Sequence, residues 1–526
     1  MKLSKICQVL AMTGLVLSTA VSAEMVLRRG NGSEPQSLDP QISTGVPSSH
    51  IQRDLFEGLV AEDKDGKVVP GIAEKWEVSE DGKVYTFHLR DTTWTNGDKV
   101  TADDVVYAWQ RGVNPATGSD YAFMLYPVKN AKAIAEGKEK DLSKFGAKAL
   151  DEKTLQVTLE NPTPYFIGML THSFTYPVPK KVVEKLGKEW TKAENIVSNG
   201  PFKMAKWTPQ ASMELVKSDA YWDKDVVKLD KVIFYPIENQ NAELKRFRAG
   251  ELDWTYEVPL DQLKFIRKEL GDQFKVENYL GIYYYGLNVT KAPFKDNLPL
   301  RKALAYAINR DILVDKVTGA GEKPAYNVVV PGVANADPYV PAYAKLTQAE
   351  RIKKAKEFYK EAGYSKDKPL EMELRYNTSE NHKKVAIAIA AMWKQALGVK
   401  VNLVNEEWKV YLDTRKQKKT QAFRAGWIGD YNDANTFLEM WLSKSGLNDT
   451  GYDSKKFDDL MKQATEEQDL DKRAKLMHEA EKDFIDSFSL IPIYYYVTKR
   501  LVSPKVKGYN INVMDHSRSK YMWIEE

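Results

Sequence analysis

The run Arg424-Ala-Gly-Trp-Ile-Gly-Asp430-Tyr-Asn-Asp433 sets a carboxylate between Trp427 and Tyr431, directly after an apolar, strand-like stretch. Four roles are open to such an acid: proton transfer, metal ligation, turn formation, and pairing with a cation that arrives from outside. The other reactive side chains narrow the choice. Six histidines (His50, His88, His172, His382, His478 and His516) never cluster at metal-ligand spacing, and His478-Glu479 lacks the second histidine of a zinc-protease helix. No Gly-x-Ser-x-Gly elbow, phosphate loop or dinucleotide fingerprint occurs. Asp63-Lys-Asp65-Gly66 resembles the middle of a calcium loop, but Ala61 and Ile72 fill its first and closing ligand positions, so it reads as a hairpin turn. Binding without chemistry leads. A secreted peptidase using Asp430 as an acid is the enzymatic alternative, since a triad scattered along the chain leaves no motif.

The elements around these residues place them at a binding crevice. A helical stretch, 349–362, ends at Gly363, a strand follows at 370–376, and Thr378-Ser379-Glu380 opens an apolar helix that Gly398 stops. Strand 399–404, helix 407–415 and strand 422–428 complete the series. Strands alternating with helices predict parallel βαβ units, in which ligands sit outside the carboxyl ends of the strands, near helix N-termini. His382 falls in the first turn of one such helix, and Asp430 just past the end of a strand. Residues 67–111 have a different, α+β character. Strand-like alternations at 75–78 and 84–89 meet at Asp81-Gly82, Asn96-Gly97 makes a second turn, and Thr101 caps a helix through Val105-Val-Tyr-Ala-Trp109. A further strand pair is expected at 147–149 and 154–159.

The chain begins with Lys2 and Lys5, an apolar run, and Val21-Ser22-Ala23, the pattern of a cleaved signal peptide over residues 1–23. Its only cysteine, Cys7, lies inside that segment. The mature protein would then have no disulfide, no thiolate metal site and no cysteine nucleophile. With 526 residues the chain exceeds what one core usually serves, and two or three domains are expected. A formal charge of +4 gives no support for nucleic-acid binding or a polybasic membrane surface. No repeat, low-complexity tract or Pro/Ser-rich linker marks a boundary, which suggests a chain that crosses between lobes more than once.

Longer motifs identify a relationship. Gly32-Ser-Glu-Pro-Gln-Ser-Leu-Asp39-Pro40, Asp54-Leu-Phe-Glu-Gly58, Trp190-Thr191 with Asn199-Gly200, Arg248-Ala-Gly-Glu-Leu-Asp253, Tyr283-Tyr-Tyr285, Tyr376-Asn-Thr-Ser-Glu-Asn-His382, Glu407-Trp408 and the Arg424–Asn432 run together resemble the oligopeptide-binding proteins of bacterial ABC importers. That solute-binding family also takes dipeptides, murein peptides, haem and nickel. The resemblance covers nearly all of the mature chain. It implies an α/β fold of the periplasmic-binding-protein type (type II), with two lobes joined by a hinge and an extra α+β domain. The first lobe would be discontinuous (24–56, 181–280 and 497–526), the extra domain 57–180 and the second lobe 281–496, with hinge crossings near Leu280 and Val497.

The resemblance also implies roles. Asp430 would pair with the α-ammonium of a bound peptide, which is cationic at neutral pH. The peptide backbone would find strands on either side, Gly45-Val46 and Gly426-Trp427-Ile428, a pairing blind to side chains. Arg424 and His382 match positions that meet the ligand carboxylate at different depths, and Arg415 matches one that lines a side-chain pocket. Trp408, Trp427, Tyr121, Tyr279, Tyr284 and Tyr496 match pocket walls. Two departures stand out. Thr318 occupies the place of a lysine that some oligopeptide receptors use for the ligand carboxylate, and Gly281 and Ile428 stand where those receptors can carry a disulfide. Both departures also resemble the murein-tripeptide-binding branch. The expectations are therefore a monomeric periplasmic receptor for peptides of about two to five residues, with no enzymatic activity, cofactor or metal, no nucleic acid, and an inner-membrane ABC permease as partner; a murein-tripeptide receptor is the runner-up.

Overall fold

The computed structural model describes residues 24–510 and 512–525. The expected signal peptide, 1–23, lies outside the described residues. Among the described residues no helix is long and apolar enough to cross a membrane.

Three sheets carry the architecture. In the first, Val26–Gly30 pairs in parallel with Lys231–Tyr235, which continues antiparallel through Ser212–Lys217 to Phe202–Thr208. The second is antiparallel, in the order Ala73–Val78, Val84–Leu89, Thr154–Thr158, Ala147–Ala149. Its hairpin turns at Gly82 with φ 68°, a left-handed corner that glycine supplies without steric cost. Tyr85, Phe87 and Leu89 alternate into the core. Helix Ala102–Val113 packs on this sheet and starts with a full capping box, Thr101 and Asp104 satisfying each other's backbone N–H groups. The supposed calcium loop is a turn between Val60–Glu62 and Val68–Pro70, in which Oδ1 of Asp63 accepts the N–H groups of Asp65 and Lys67, each at 2.9 Å.

The third sheet has six strands, ordered Lys323–Pro324, Leu490–Leu501, Phe274–Leu287, Ala422–Ile428, Glu371–Asn377, Lys400–Glu406. The last three are parallel, as the alternation of strands and helices predicts. Helix Glu380–Leu397 connects two of them; the Ser379 hydroxyl caps its start and Gly398, at φ 81°, ends it. The sequence did not show that this parallel half continues into an antiparallel one. Ala422–Ile428 runs antiparallel to Phe274–Leu287, which pairs with Leu490–Leu501 along nearly its whole length. Period-2 patterning marks a strand but does not name its partner. The ribbon of Phe274–Leu287 and Leu490–Leu501 reaches past the sheet. Its far end, Phe274 against Leu501, adjoins Trp254 and Val502, beside the first sheet. The register shifts between Asn278 and Ile282, an irregularity of the kind that bends a strand.

One buried cluster runs continuously under the first two sheets and into the cleft. A second, with Tyr283, Leu304, Ile389 and Trp393, lies under the six-stranded sheet. There the indole N–H of Trp393 donates to the Leu304 carbonyl at 2.9 Å.

Candidate functional site

Between the first sheet and the six-stranded sheet lies a cleft with a cavity of about 230 Å³. Every residue for which the resemblance implies a ligand contact lines it: Gly45, Val46, Tyr121, Tyr279, Tyr284, His382, Trp408, Arg415, Arg424, Gly426, Trp427, Ile428, Asp430 and Tyr496. These positions are spread over most of the chain, so their convergence is a property of the fold.

The strand Ala422–Ile428 is the spine of the site. One edge is paired with Phe274–Leu287 from Ala422 to Ile428. The other edge is paired only at Ala422 and Phe423, against Leu374 and Arg375. Beyond Phe423 the neighbouring strand diverges, and the second edge from Arg424 to Ile428 has no strand beside it. An unpaired edge is a template for another extended chain.

An anion stands just past one end of this edge. Asp430 is buried, and its backbone N–H donates to Oγ1 of Thr436 at 2.9 Å. Its Oδ1 lies 3.2 Å from Nε2 of His172, while Oδ2 is buried with no hydrogen-bond partner. A buried, unfilled carboxylate oxygen is costly unless something completes it.

A cation stands at the other end. The Arg424 guanidinium is buried, stacks 4.6 Å from the Tyr283 ring centroid, and donates to Oδ1 of Asn377 at 3.2 Å and to the Tyr496 hydroxyl. No carboxylate lies within ion-pair distance of it among the described residues, and its Nε has no partner. His382 sits beside Tyr283, ring centroids 5.7 Å apart. Burial, aided by the charges of Arg424 and Lys499, holds its pKa well below the ordinary imidazole value, so His382 is neutral. Arg415 differs from Arg424. Asp449 already neutralises it at 2.7 Å, as suits the wall of a side-chain pocket.

The aromatic walls are ordered by stacking. Trp427 stacks on Tyr121 at 6.1 Å and Tyr121 on His172 at 5.0 Å. The indole nitrogens of Trp408 and Trp427 are buried without partners.

One expectation changes. Gly45-Val46 is not a strand facing Gly426-Trp427-Ile428. Gly45 is the N-cap of helix Val46–Leu55, and its carbonyl accepts the N–H groups of Ser48 and Ser49 at 3.2 and 3.3 Å. Pro47 in the first turn presets the helical φ, which takes these residues out of the extended conformation. They line the cleft as a helix N-terminus rather than as a ladder.

Thr318 is buried, its hydroxyl donating to the Val314 carbonyl at 3.3 Å, and does not line the cleft. Gly281 and Ile428 are cross-strand partners, with no room for a Cβ on Gly281. Among the lining residues that escaped the sequence reading are two that stand beside oppositely charged or ionisable partners in a way that bears on ligand binding. His172 is one. The other is Lys499, a buried ammonium 3.1 Å from Glu322 and 3.8 Å from Glu257. Its only signal was a Lys-Arg pair inside an otherwise apolar strand, Leu490–Leu501.

Comparison with known proteins agrees with this geometry. The profile described as bacterial extracellular solute-binding proteins, family 5 middle, matches residues 67–449. The periplasmic oligopeptide-binding protein OppA of Salmonella typhimurium is 43% identical over 513 residues, covering 95% of this chain and 94% of its own. Among solved structures, the Haemophilus influenzae OppA complex with RPPGFSPFR has a TM-score of 0.93 at 41% identity, covering 96% of this chain and all of its own. The Escherichia coli murein tripeptide binding protein MppA is 38% identical, covers 96% of this chain with 98–99% of its own, and scores 0.93 in one structure but 0.65 in its unliganded open form. With identity fixed, that gap is one of conformation, and the cleft described above is not in the open arrangement. The mixed α/β fold is that of the periplasmic binding proteins, and the chain belongs to family 5 of the bacterial extracellular solute-binding proteins.

Proposed function

We propose that the protein is a periplasmic receptor that holds short peptides, of about two to five residues, in an extended conformation between two lobes and hands them to a membrane ABC permease. One observation carries this reading. The unpaired edge Arg424–Ile428 runs from a buried guanidinium without a carboxylate to a buried carboxylate with an unfilled oxygen. A peptide zwitterion has the complementary charges at its two ends and a backbone that can add to the edge between them. Asp430 takes the ammonium and Arg424, beside neutral His382, the carboxylate, so the peptide runs antiparallel to Ala422–Ile428. Trp408, Tyr121, Tyr279, Tyr284, Tyr496 and the Arg415–Asp449 pair wall pockets for side chains, where water adapts to different residues.

The domain division 24–56, 181–280 and 497–526, with 57–180 added and 281–496 as the second lobe, is part of this proposal. The three sheets support it, since each draws its strands almost wholly from one of these units. The hinge falls at Leu280 and Val497, where the shared ribbon shifts register. A cleavable signal peptide at 1–23 supplies export, in line with the periplasmic relatives.

The protein captures its ligand without reacting with it. Asp430 faces His172 rather than a second acid, and both oxygens of nearby Glu439 are engaged, by the Tyr431 hydroxyl at 2.6 Å and the Asn435 amide at 2.8 Å. A cell-wall peptide is the second reading, favoured by Thr318 in the place of a lysine and by the MppA likeness. Native mass spectrometry of protein purified gently from the periplasm, with sequencing of the released ligand, tests both. A mixture of short peptides with free N-termini supports the general receptor. A single species containing a D-residue and diaminopimelate moves the assignment to cell-wall peptides, and cleavage of an added peptide would sink the receptor reading.

A further inference from the structure

We propose that His172 is a positioning residue for the amine site, an inference that rests on the assignment of Asp430 to the ligand ammonium. The backbone fixes the state of its ring. The Phe174 N–H donates to Nδ1 of His172 at 3.3 Å. In a neutral imidazole one nitrogen accepts and the other carries the hydrogen, so this bond leaves the proton on Nε2. Nε2 is the atom 3.2 Å from Oδ1 of Asp430. The Nε2 side of the ring therefore faces the Asp430 carboxylate.

Its orientation is held as well. Tyr121 stacks on the imidazole with ring centroids 5.0 Å apart and planes 19° apart, and Trp427 stacks on Tyr121 in turn. His172 and Asp430 are both about nine-tenths buried. The terminal torsion of an aspartate is soft and roughly two-fold. The imidazole nitrogen 3.2 Å from Oδ1 limits that freedom, and Oδ2 is left without a hydrogen-bond partner among the described residues.

The two residues also come from different bodies. His172 lies in the segment attached to the second sheet, and Asp430 follows a strand of the six-stranded sheet. The amine site is complete only where these bodies meet.

The test is calorimetric titration of tri-alanine and N-acetyl-tri-alanine into the wild-type protein and the variants His172→Ala, His172→Gln, Asp430→Asn and His172→Ala/Asp430→Asn, with thermal unfolding of each. Glutamine places an amide N–H near the position of Nε2, and His172→Gln should bind tri-alanine within about threefold of wild type. His172→Ala should lose about tenfold to a hundredfold for tri-alanine, the scale of a hydrogen bond to a charged group. It should lose nothing for the acetylated ligand, and nothing further in the Asp430→Asn background. Equal losses for both ligands, no loss for tri-alanine, or an added loss beside Asp430→Asn would overturn the proposal. If His172→Ala does not fold, His172→Asn, too short to reach Oδ1, takes its place. Should Asp430→Asn alone bind tri-alanine like wild type, the amine assignment fails, and the role of His172 with it.

Discussion

A Cβ on Gly45 would stand 2.7 Å from Cζ2 of Trp408. The loop that opens helix Val46–Leu55 and the start of helix Trp408–Lys416 thus close on each other with no space for a methyl group. Gly45 also has φ 85° and ψ 153°, a region that only glycine occupies without strain. Both demands fall on one residue, at a point where two walls of the cleft touch.

Gly45→Ala should therefore impair closure more than folding. The backbone strain costs about 1–3 kcal/mol of stability. Contact with Trp408 adds a further penalty that exists only in the closed form. Small-angle scattering should show wild-type protein contracting when tri-alanine is added and the variant contracting less, with affinity reduced about tenfold or more and most of the change in the off-rate. Equal contraction and equal affinity would mean that Trp408 moves aside freely.

Arg424 offers a second test, at the other end of the unpaired edge. Its guanidinium is buried and has no carboxylate partner among the described residues, so on the proposed reading the ligand supplies the anion. Arg424→Met should weaken tri-alanine about tenfold to a hundredfold, the range for a charged hydrogen-bonded contact. Tri-alanine amide, which has no terminal anion, should bind variant and wild type alike. The profile over peptides of different length should shift as well. A variant that loses both ligands equally would place the carboxylate elsewhere.

Much of this site was legible in the sequence because it is built on elements with strong local signals. The strand Ala422–Ile428 was read to the residue from its apolar run and the Gly-Asp that ends it. The helix that carries His382 was read from the Thr-Ser-Glu start and the Gly398 stop. Gly45-Val46 was read as the right place in the wrong conformation, since a resemblance transfers contact more safely than backbone geometry, and Pro47 was the local signal that a helix begins there. His172 and Lys499 were not found, because what sets them apart is burial beside partners far away in the chain. No periodicity encodes that. The antiparallel half of the six-stranded sheet failed for the same reason, since Phe274–Leu287 and Leu490–Leu501 pair although they lie far apart in the sequence.

Acid should weaken the fold through His50. This residue sits in helix Val46–Leu55, buried, with Nδ1 unpartnered. Burial first, then the charges of Arg29, Arg53 and Arg500, hold its pKa well below the ordinary imidazole value. Folded His50 therefore stays neutral while the unfolded chain takes up a proton below about pH 6.5. The unfolded state then binds more protons, and stability falls as the pH drops through that value. In His50→Gln this contribution is absent. Urea unfolding from pH 8 to pH 5 should show a constant stability difference between variant and wild type above about pH 7.5. Below about pH 6.5 the difference should move in favour of the variant, by up to about 1.4 kcal/mol per pH unit. A difference independent of pH would mean that folded His50 titrates normally.

The buried ion pair of Lys499 makes a sharper energetic prediction. Lys499 is buried, its ammonium 3.1 Å from Glu322 and 3.8 Å from Glu257. Burial pushes the Glu322 carboxyl up, but the Lys499 charge and nearby donors outweigh it and hold the pKa below the usual value. The Ala320 N–H fills the second carboxylate oxygen at 3.1 Å. Lys499→Met strands that charge in the interior and should cost about 3–5 kcal/mol. Glu322→Gln alone should cost less, because Glu257 remains near the ammonium. The double variant should recover most of the loss, since replacing both members of a buried pair is often close to neutral. Urea denaturation of the four proteins gives the coupling, and losses that simply add would show that the two charges do not depend on each other.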